Sequence, residues 1–556
     1  MRALALVSVP GLAFAVWGRW HNPFFLEPPL LALGLLWGLP GLGVVLWLLL
    51  RSWRRGRSGW GSARWIGVPV LAWCLLLAWP KPRIPAPALL VFGIDGATYE
   101  VADVLMAQGD LPTLASLEAR GSRGVLRSME PMFSPLLWTT MATGKIPEEH
   151  GIRGFRVQAS ELSTPRFWDV AIAEGHRVGI YKWLVTYPPR ELDGFMVPAW
   201  LAPGPETVPQ ELSFIKELEL SHRLKRQRVE AGRGPLSLAV AGVRGGLRLG
   251  TLVQAALCWW GERSGNWSGR ERRLAMEPLR VEMDRDVFLY ALRTQAPSVA
   301  TFTDYATDGL AHLFWGEGEI VADAYRQADR VLGEILSSLD GEPMVVVLSD
   351  HGFRSSEAGG HVSLRPLTDR LEARLSESHG AVEVNRLGIK LRVRFKGEGD
   401  LTALEASVRD LLDSGGEPFY RVERIPQDPL ALGLSLENEE VDEAAIAAGT
   451  VGGEPLSHYL RLAPPFLGDH DDAGILLAAG PGVPQLDLGE VELLDIAPSL
   501  LGLLGIAPAD DQSGEVLFGT RLPGPASRDD LVGDWQLGEG EDGVDEERLR
   551  ALGYVE

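Results

Sequence analysis

Cysteine is nearly absent: Cys74 and Cys258 are the whole complement of a 556-residue chain. Two thiols cannot make a disulfide framework, and Cys74 lies inside an apolar run, so no structural bridge between them is expected. Positive charge is also in deficit. Lys and Arg number 53 against 74 Asp and Glu, a formal net charge of −21, which argues against a general nucleic-acid binder because phosphate backbones are repelled. No internal repeat is present. The length suits one large domain with insertions, or two domains.

What is plentiful is apolar sequence near the start. PLLALGLLWGLPGLGVVLWLLL (29–50) runs 22 residues without a charge, long enough to cross a bilayer as a helix. ALALVSVPGLAFAVW (3–17) and WIGVPVLAWCLLLAWP (65–80) are shorter. Between the second and third runs lie Arg51, Arg54, Arg55, Arg57 and Arg64 with no acid, so the positive-inside rule puts that loop in the cytoplasm. Three spans over 1–80 then anchor the chain and place everything after about residue 81 outside the cytoplasm; the alternative is two spans. A cleaved signal peptide fits the first run poorly, since VWGRWHNP offers no small-residue cleavage site.

PKPRIPAPA (80–88) is a Pro-rich spacer, so 81–87 is expected to link the anchor to a folded head over 88–525. LLVFGIDGA then reads as a buried parallel strand stopping at an acid. The same grammar returns in PSVATFTDYATDGLAH (297–312) and PMVVVLSDHGF (343–353), with a helix between them, and a later strand AGILLAAGPGV (473–483) follows LGDHDD. Alternation of strands and helices predicts an α/β fold with a mainly parallel central sheet flanked by helices. Ligands gather beyond the carboxyl ends of such strands. Residues 212–290, helical and locally basic (SHRLKRQRVEAGRG), and 365–460, with the β-like LGIKLRVRF, interrupt the pattern as helical and α+β cap insertions. An acidic tail fills 526–556.

The chemistry-bearing residues sit at those strand ends. Asp95 follows the first strand, Asp350 and His351 follow the third, Asp308 and His312 share a helix face four apart, and His470 stands in a Gly/Asp-rich loop. Each alone has a bland reading: a turn, a helix cap or a surface pair. His361, in a Gly-rich loop, keeps that bland reading. Together, three Asp and three His with no cysteine competing suit two divalent ions, zinc or manganese. A paired-metal site can clamp the attacking and leaving oxygens of a phosphoryl transfer. FSPLLWTTMATGKIPEEHGI (133–152) adds a serine and three threonines, so one of these hydroxyls is a candidate nucleophile.

In this order the blocks resemble the alkaline phosphatase superfamily, in its type I phosphodiesterase/nucleotide pyrophosphatase branch and nearest its predicted phosphohydrolase/phosphomutase group. The blocks are VFGIDGATYEV, SPLLWTTMATGKIPEEHGI, VTYPPRELDGFMV, TDYATDGLAHLFW, VVVLSDHGF, GDHDDAGILLAAGPGV and ELLDIAPSLLGLLGI, scattered over about 88–520, with the terminal ERLRALGYVE similar to tails of such enzymes. The resemblance implies a nucleophile nine residues before the Thr-Gly of the TGxxPxxHGI block, which lands on Ser134, where diesterase members often carry threonine. Serine serves equally as an alkoxide once a metal lowers its pKa. Thr139 and Thr140 are then hydroxyls satisfied by helix carbonyls. The resemblance further implies one metal on Asp95, Asp350 and His351, beside Ser134, and another on Asp308, His312 and His470.

Nucleotide-cleaving members carry an asparagine shortly after HGI; Phe155 stands there instead. Lys145, Arg153 and Lys182 are possible replacement donors, although basic side chains are usually just solvated. A sulfatase nucleophile needs Pro two and Arg four residues on, where this chain has Leu136 and Trp138. The expectation is therefore a membrane-anchored, two-metal (Zn²⁺, with Mn²⁺ as alternative) phosphohydrolase or phosphodiesterase with a serine nucleophile. Its substrate would be an extracytoplasmic phosphoester, and the anchor makes a lipid-linked one natural. Alternatives are a lipid or glycan head-group phosphotransferase and a non-catalytic membrane-anchored binding protein. A transport role is disfavoured, because no span carries a central charge.

Overall fold

The computed structural model describes residues 83–154, 158–226, 234–264, 267, 269–356, 364–366, 369–387, 390–395, 399–424, 430–437, 443–462 and 467–532. The apolar runs at 3–17, 29–50 and 65–80, Phe155, His361 and the tail beyond 532 lie outside the described residues. Among the described residues no helix is long and apolar enough to cross a membrane.

The chain divides into two compact units. The first comprises the described residues of Met1–Thr307, Ala322–Gly352 and Asp471–Gly543. Its centre is an eight-stranded sheet of β1 (Leu89–Ile94), β2 (Ser122–Arg127), β3 (Val178–Tyr181), β4 (Gly194–Val197), β5 (Val299–Asp304), β6 (Met344–Leu348), β7 (Ala473–Ala479) and β8 (Asp487–Glu492). The spatial order is β8-β2-β7-β6-β1-β5-β3-β4. β1 pairs in parallel with both β5 and β6. All six residues of LLVFGI and of VATFTD are buried, as expected for strands covered by helices on both faces.

One strand departs from the mainly parallel expectation. β7 runs antiparallel to both of its neighbours, β2 and β6. Its AGILLAA sequence is almost wholly buried, so it can serve in the middle of the sheet in either direction. The sheet is mixed, with one reversed strand.

Helices are placed by recognisable local signals. α1 (Tyr99–Gln108) starts at Thr98, whose hydroxyl accepts from the Glu100 N–H, and stops at Gly109. α2 (Ser134–Thr143) begins with Pro135 in its first turn and ends at Gly144, whose φ of 65° belongs to the left-handed region. The Thr-Gly of the motif is thus a helix stop. The described residues of 213–295 include the helices Ser213–Arg226, Pro235–Arg244, α3 (Leu249–Arg263) and α4 (Gly269–Gln295). α5 (Ala306–Phe314) follows β5, and α6 (Gly318–Ser338) buries Val321, Ala324, Tyr325, Ala328, Val331, Leu332 and Ile335 along one stripe.

The second unit holds the described residues of Asp308–Val321 and Phe353–His470. Its antiparallel sheet runs in the spatial order Val382–Leu387, Lys390–Phe395, Ala431–Leu436, Tyr420–Arg424. Leu371 and Leu375 of helix Asp369–His379 and Leu404 and Val408 of helix Leu401–Arg409 share its core with Val393 and Leu432.

Candidate active site

Asp95, Asp350 and His351 meet at the carboxyl ends of β1 and β6, all fully buried. One potential ligand atom from each lies within 4.8 Å of the others. His351 Nε2 is 3.4 Å from Asp95 Oδ1 and 3.6 Å from Asp350 Oδ2. The ring's orientation is set from behind: Nδ1 stands 2.9 Å from the Gly352 carbonyl. A carbonyl can only accept, so Nδ1 carries the proton and Nε2 presents its lone pair toward the carboxylates. Lone pairs facing anionic oxygens in a dry site are costly unless a cation lies among them. The donor set fits a divalent ion: two carboxylates and a neutral imidazole held by a backbone carbonyl.

Asp95 is braced on three sides. Its N–H donates to the Asp304 carbonyl at 2.9 Å. Its own carbonyl accepts from Thr307 Oγ1 at 2.6 Å. Its Oδ2 accepts from the indole Nε1 of Trp138 at 3.2 Å. Trp138 is itself fixed: its carbonyl accepts from Trp183 Nε1 at 3.0 Å, and the two rings meet edge to face at 4.9 Å. Space for it comes from Gly93 in β1, where a Cβ would lie 2.4 Å from Trp138 Cη2.

Ser134 is buried at the first position of α2, with Phe133 as its cap. It precedes Trp138 by one helical turn, so the two side chains share a face, and the Trp138–Asp95 bond ties that face to the carboxylate. The first-turn N–H groups of a helix favour negative charge, which suits an alkoxide. The threonines are otherwise engaged. Thr139 Oγ1 donates to the Pro135 carbonyl at 2.6 Å and Thr143 Oγ1 to the Thr139 carbonyl at 2.8 Å. Thr140 Oγ1 is 3.1 Å from His150 Nε2. His150 Nδ1 accepts from the Ile152 N–H at 3.1 Å, so its Nε2 bears the proton and donates to Thr140. Burial, helped by the charge of Arg153, pushes the His150 pKa down to about 4, which keeps it neutral near neutral pH.

Asp308, His312 and His470, in the second unit, form the other group within 4.8 Å. Asp308 Oδ1 is 3.3 Å from His312 Nε2 and 3.5 Å from His470 Nε2, and the two imidazole nitrogens are 3.1 Å apart. His312 Nδ1 faces the Gly468 carbonyl at 3.3 Å, which again leaves Nε2 as the atom available to a metal. Phe353 packs edge-on against both imidazoles and stacks on Trp315. This trio too fits a divalent ion.

Two of the three basic candidates turn out differently from their sequence reading. Lys145 and Lys182 are buried rather than solvated. Lys145 Nζ is 2.7 Å from Asp511 Oδ2. Lys182 Nζ is 2.8 Å from Asp284 Oδ2 and 3.5 Å from Glu219 Oε2. Arg153 is exposed. Sequence reasoning missed Trp138 as a partner of Asp95; its spacing of four from Ser134 was the available signal. It also missed Asp304, at the end of β5, whose Oδ1 accepts from the Ala306 N–H at 2.9 Å. Burial pushes that carboxyl up to about 7.

No curated protein matches the chain at a significant level. Residues 89–424 match the type I phosphodiesterase / nucleotide pyrophosphatase family. The chain belongs to that family, within the alkaline phosphatase superfamily, and is a hydrolase acting on phosphoric ester bonds.

Proposed function

We propose that the protein is a two-metal phosphodiesterase or phosphatase in which Ser134 is the nucleophile. The observation that carries this is the pair of compact Asp/His groups, each with its imidazole Nε2 atoms turned toward carboxylate oxygens. Asp95, Asp350 and His351 would hold one ion and Asp308, His312 and His470 the other. Zn²⁺ suits this oxygen and nitrogen set, with Mn²⁺ the alternative. Such ions lower the pKa of a bound hydroxyl and offset charge on phosphoryl oxygens.

Ser134 Oγ, having lost its proton, forms a bond to phosphorus while the ester P–O bond breaks and the alcohol leaves with a proton from solvent. Water then attacks the phosphoseryl phosphorus, the Ser134–phosphorus bond breaks, and the serine recovers a proton. Trp138 holds the Asp95 carboxylate throughout, and the buried α2 excludes bulk water from the nucleophile's surroundings. All six ligand positions are filled, which speaks against a scaffold that has lost catalysis. The uncharged run at 29–50 and the arginine loop behind it support a membrane-anchored enzyme with its head outside the cytoplasm, where a lipid-linked phosphoester is within reach.

The test is release of p-nitrophenol from bis(p-nitrophenyl) phosphate and p-nitrophenyl phosphate by the detergent-solubilised chain with Zn²⁺ or Mn²⁺. Metal-dependent turnover that Ser134→Ala removes, with metal content retained, is the expected result. The diester-to-monoester ratio then assigns the reaction class. Turnover of neither ester by a metal-loaded chain would favour transfer to a specific acceptor alcohol. Absence of both turnover and bound metal would overturn the proposal.

A further inference from the structure

α3 has its amphipathic faces distributed in an unusual way. Its inward side is tied to α4: Thr251 Oγ1 donates to Asp286 Oδ2 at 2.6 Å, and buried Cys258 lies with Sγ 3.7 Å from the Ala275 carbonyl. Its outward side carries Val253, Ala256, Leu257 and Trp260, spaced i, i+3, i+4 and i+7, all exposed. Leu257 is 66% and Trp260 71% accessible, and neighbouring Trp259 is 51%. A helix in contact only with water would turn polar residues outward. This one turns outward the residues that a core would take.

Charge identifies what covers the face. Of the six arginines in 234–273, in a chain whose net charge is −21, Arg248 is buried in ion pairs with Asp286 and Glu334, Arg272 and Arg273 pair with Glu262 and Glu277, and Arg244, Arg263 and Arg270 are exposed. Arg263, one turn beyond Trp259 and Trp260, is exposed and holds its guanidinium 5.0 Å from the Trp259 ring centre. Tryptophan and arginine at the margin of an apolar stripe are the residues that settle at a headgroup boundary, the ring partly immersed and the long cationic stem reaching outward. The chain's own course agrees. Ile84–Pro85, downstream of the uncharged run at 29–50, packs against α4, the helix on which α3 rests.

We propose that the outward face of α3 lies on an anionic lipid surface, with Leu257 and Trp260 among the upper acyl chains and Arg263 at the phosphates. The contact is peripheral, since α3 is 15 residues long, and it stands independently of the catalytic assignment. It would hold the head against the bilayer whether or not the reaction is the one proposed above.

The test is hydroxyl-radical footprinting of the full chain assembled with lipid nanodiscs, read residue by residue by mass spectrometry. A local readout is needed because any N-terminal anchor would carry the whole chain to lipid. Trp260 and Leu257 are expected to be modified about fivefold more slowly in discs with roughly 30% phosphatidylglycerol than in phosphatidylcholine discs, with rates partly restored by 0.5 M salt. Exposed Leu486 serves as the unaffected reference. Arg263→Glu should remove most of the protection while leaving thermal stability unchanged. Equal rates in both disc types would overturn the proposal. So would protection that rises with protein concentration in the absence of lipid, which would assign the face to a second copy of the chain.

Discussion

Trp138→Phe is the most informative substitution at the site. Phenylalanine keeps an aromatic ring beside Trp183 but deletes the indole N–H that reaches Asp95 Oδ2 at 3.2 Å. A hydrogen bond to a charged group contributes about 1.5–3 kcal/mol. At about 1.4 kcal/mol per tenfold, that corresponds to roughly 10–100-fold in affinity for an ion on Asp95, the range seen when partners of metal ligands are removed. On the two-metal reading, the loss should fall on the Asp95 group alone, because Asp308, His312 and His470 have other supports. Competition with a chromophoric chelator would resolve one weakened and one unchanged ion. The metal concentration for half-maximal activity should rise by a similar factor, with less change at saturation. Gly93→Ala should reproduce the defect more severely, since the new methyl would occupy the ring's place 2.4 Å from Trp138 Cη2. If Trp138→Phe lowers thermal stability while both metal affinities stay at wild-type values, the indole only fills space and the reasoning fails.

Other perturbations probe separate steps. His312→Ala removes one imidazole from the second trio and should reduce metal content, by inductively coupled plasma analysis, from about two ions per chain to about one; unchanged content would remove His312 from the ligand set. His150, folded pKa about 4 against an ordinary 6.5, binds a proton more readily when unfolded. Its stabilising effect is therefore complete above pH 6.5 and lost as pH falls through 4, by up to about 3 kcal/mol. Thermal unfolding of His150→Gln between pH 7 and 4.5 should show a shallower decline than wild type, and parallel curves would refute the assignment. Gly144→Ala, at φ 65° and with its Cβ 3.0 Å from Pro498 Cδ, should cost about 1–2 kcal/mol of stability in denaturant titration.

The acids at strand ends were readable because a buried parallel strand has a simple signature: an uninterrupted apolar run that stops at a polar residue. LLVFGI before Asp95 and MVVVL before Asp350 have that form. Asp308 and His312 were readable because helical geometry alone brings residues four apart to one face. The direction of β7 was not readable, for AGILLAA is apolar throughout and reads alike in either sense; pairing with β2 and β6 decides it. Nor were the fates of Lys145 and Lys182. A lysine is normally solvated, and only folding brings Asp511, 366 residues away, and Asp284, 102 residues away, to neutralise them.

Trp138 shows the deepest reason for the gap. All ten residues of α2 are buried, so no periodicity separates a face that packs from a face that serves the site. A buried indole must place its N–H somewhere, yet nothing along the helix says that the acceptor is Asp95. That depends on Gly93, on the opposite element, leaving its side-chain volume empty. Candidate ligands are therefore visible in sequence as residue types at strand ends, whereas their supports exist only as relations between elements. The two classes should also fail differently: losing a ligand changes how many ions bind, and losing a support changes how tightly one of them is held.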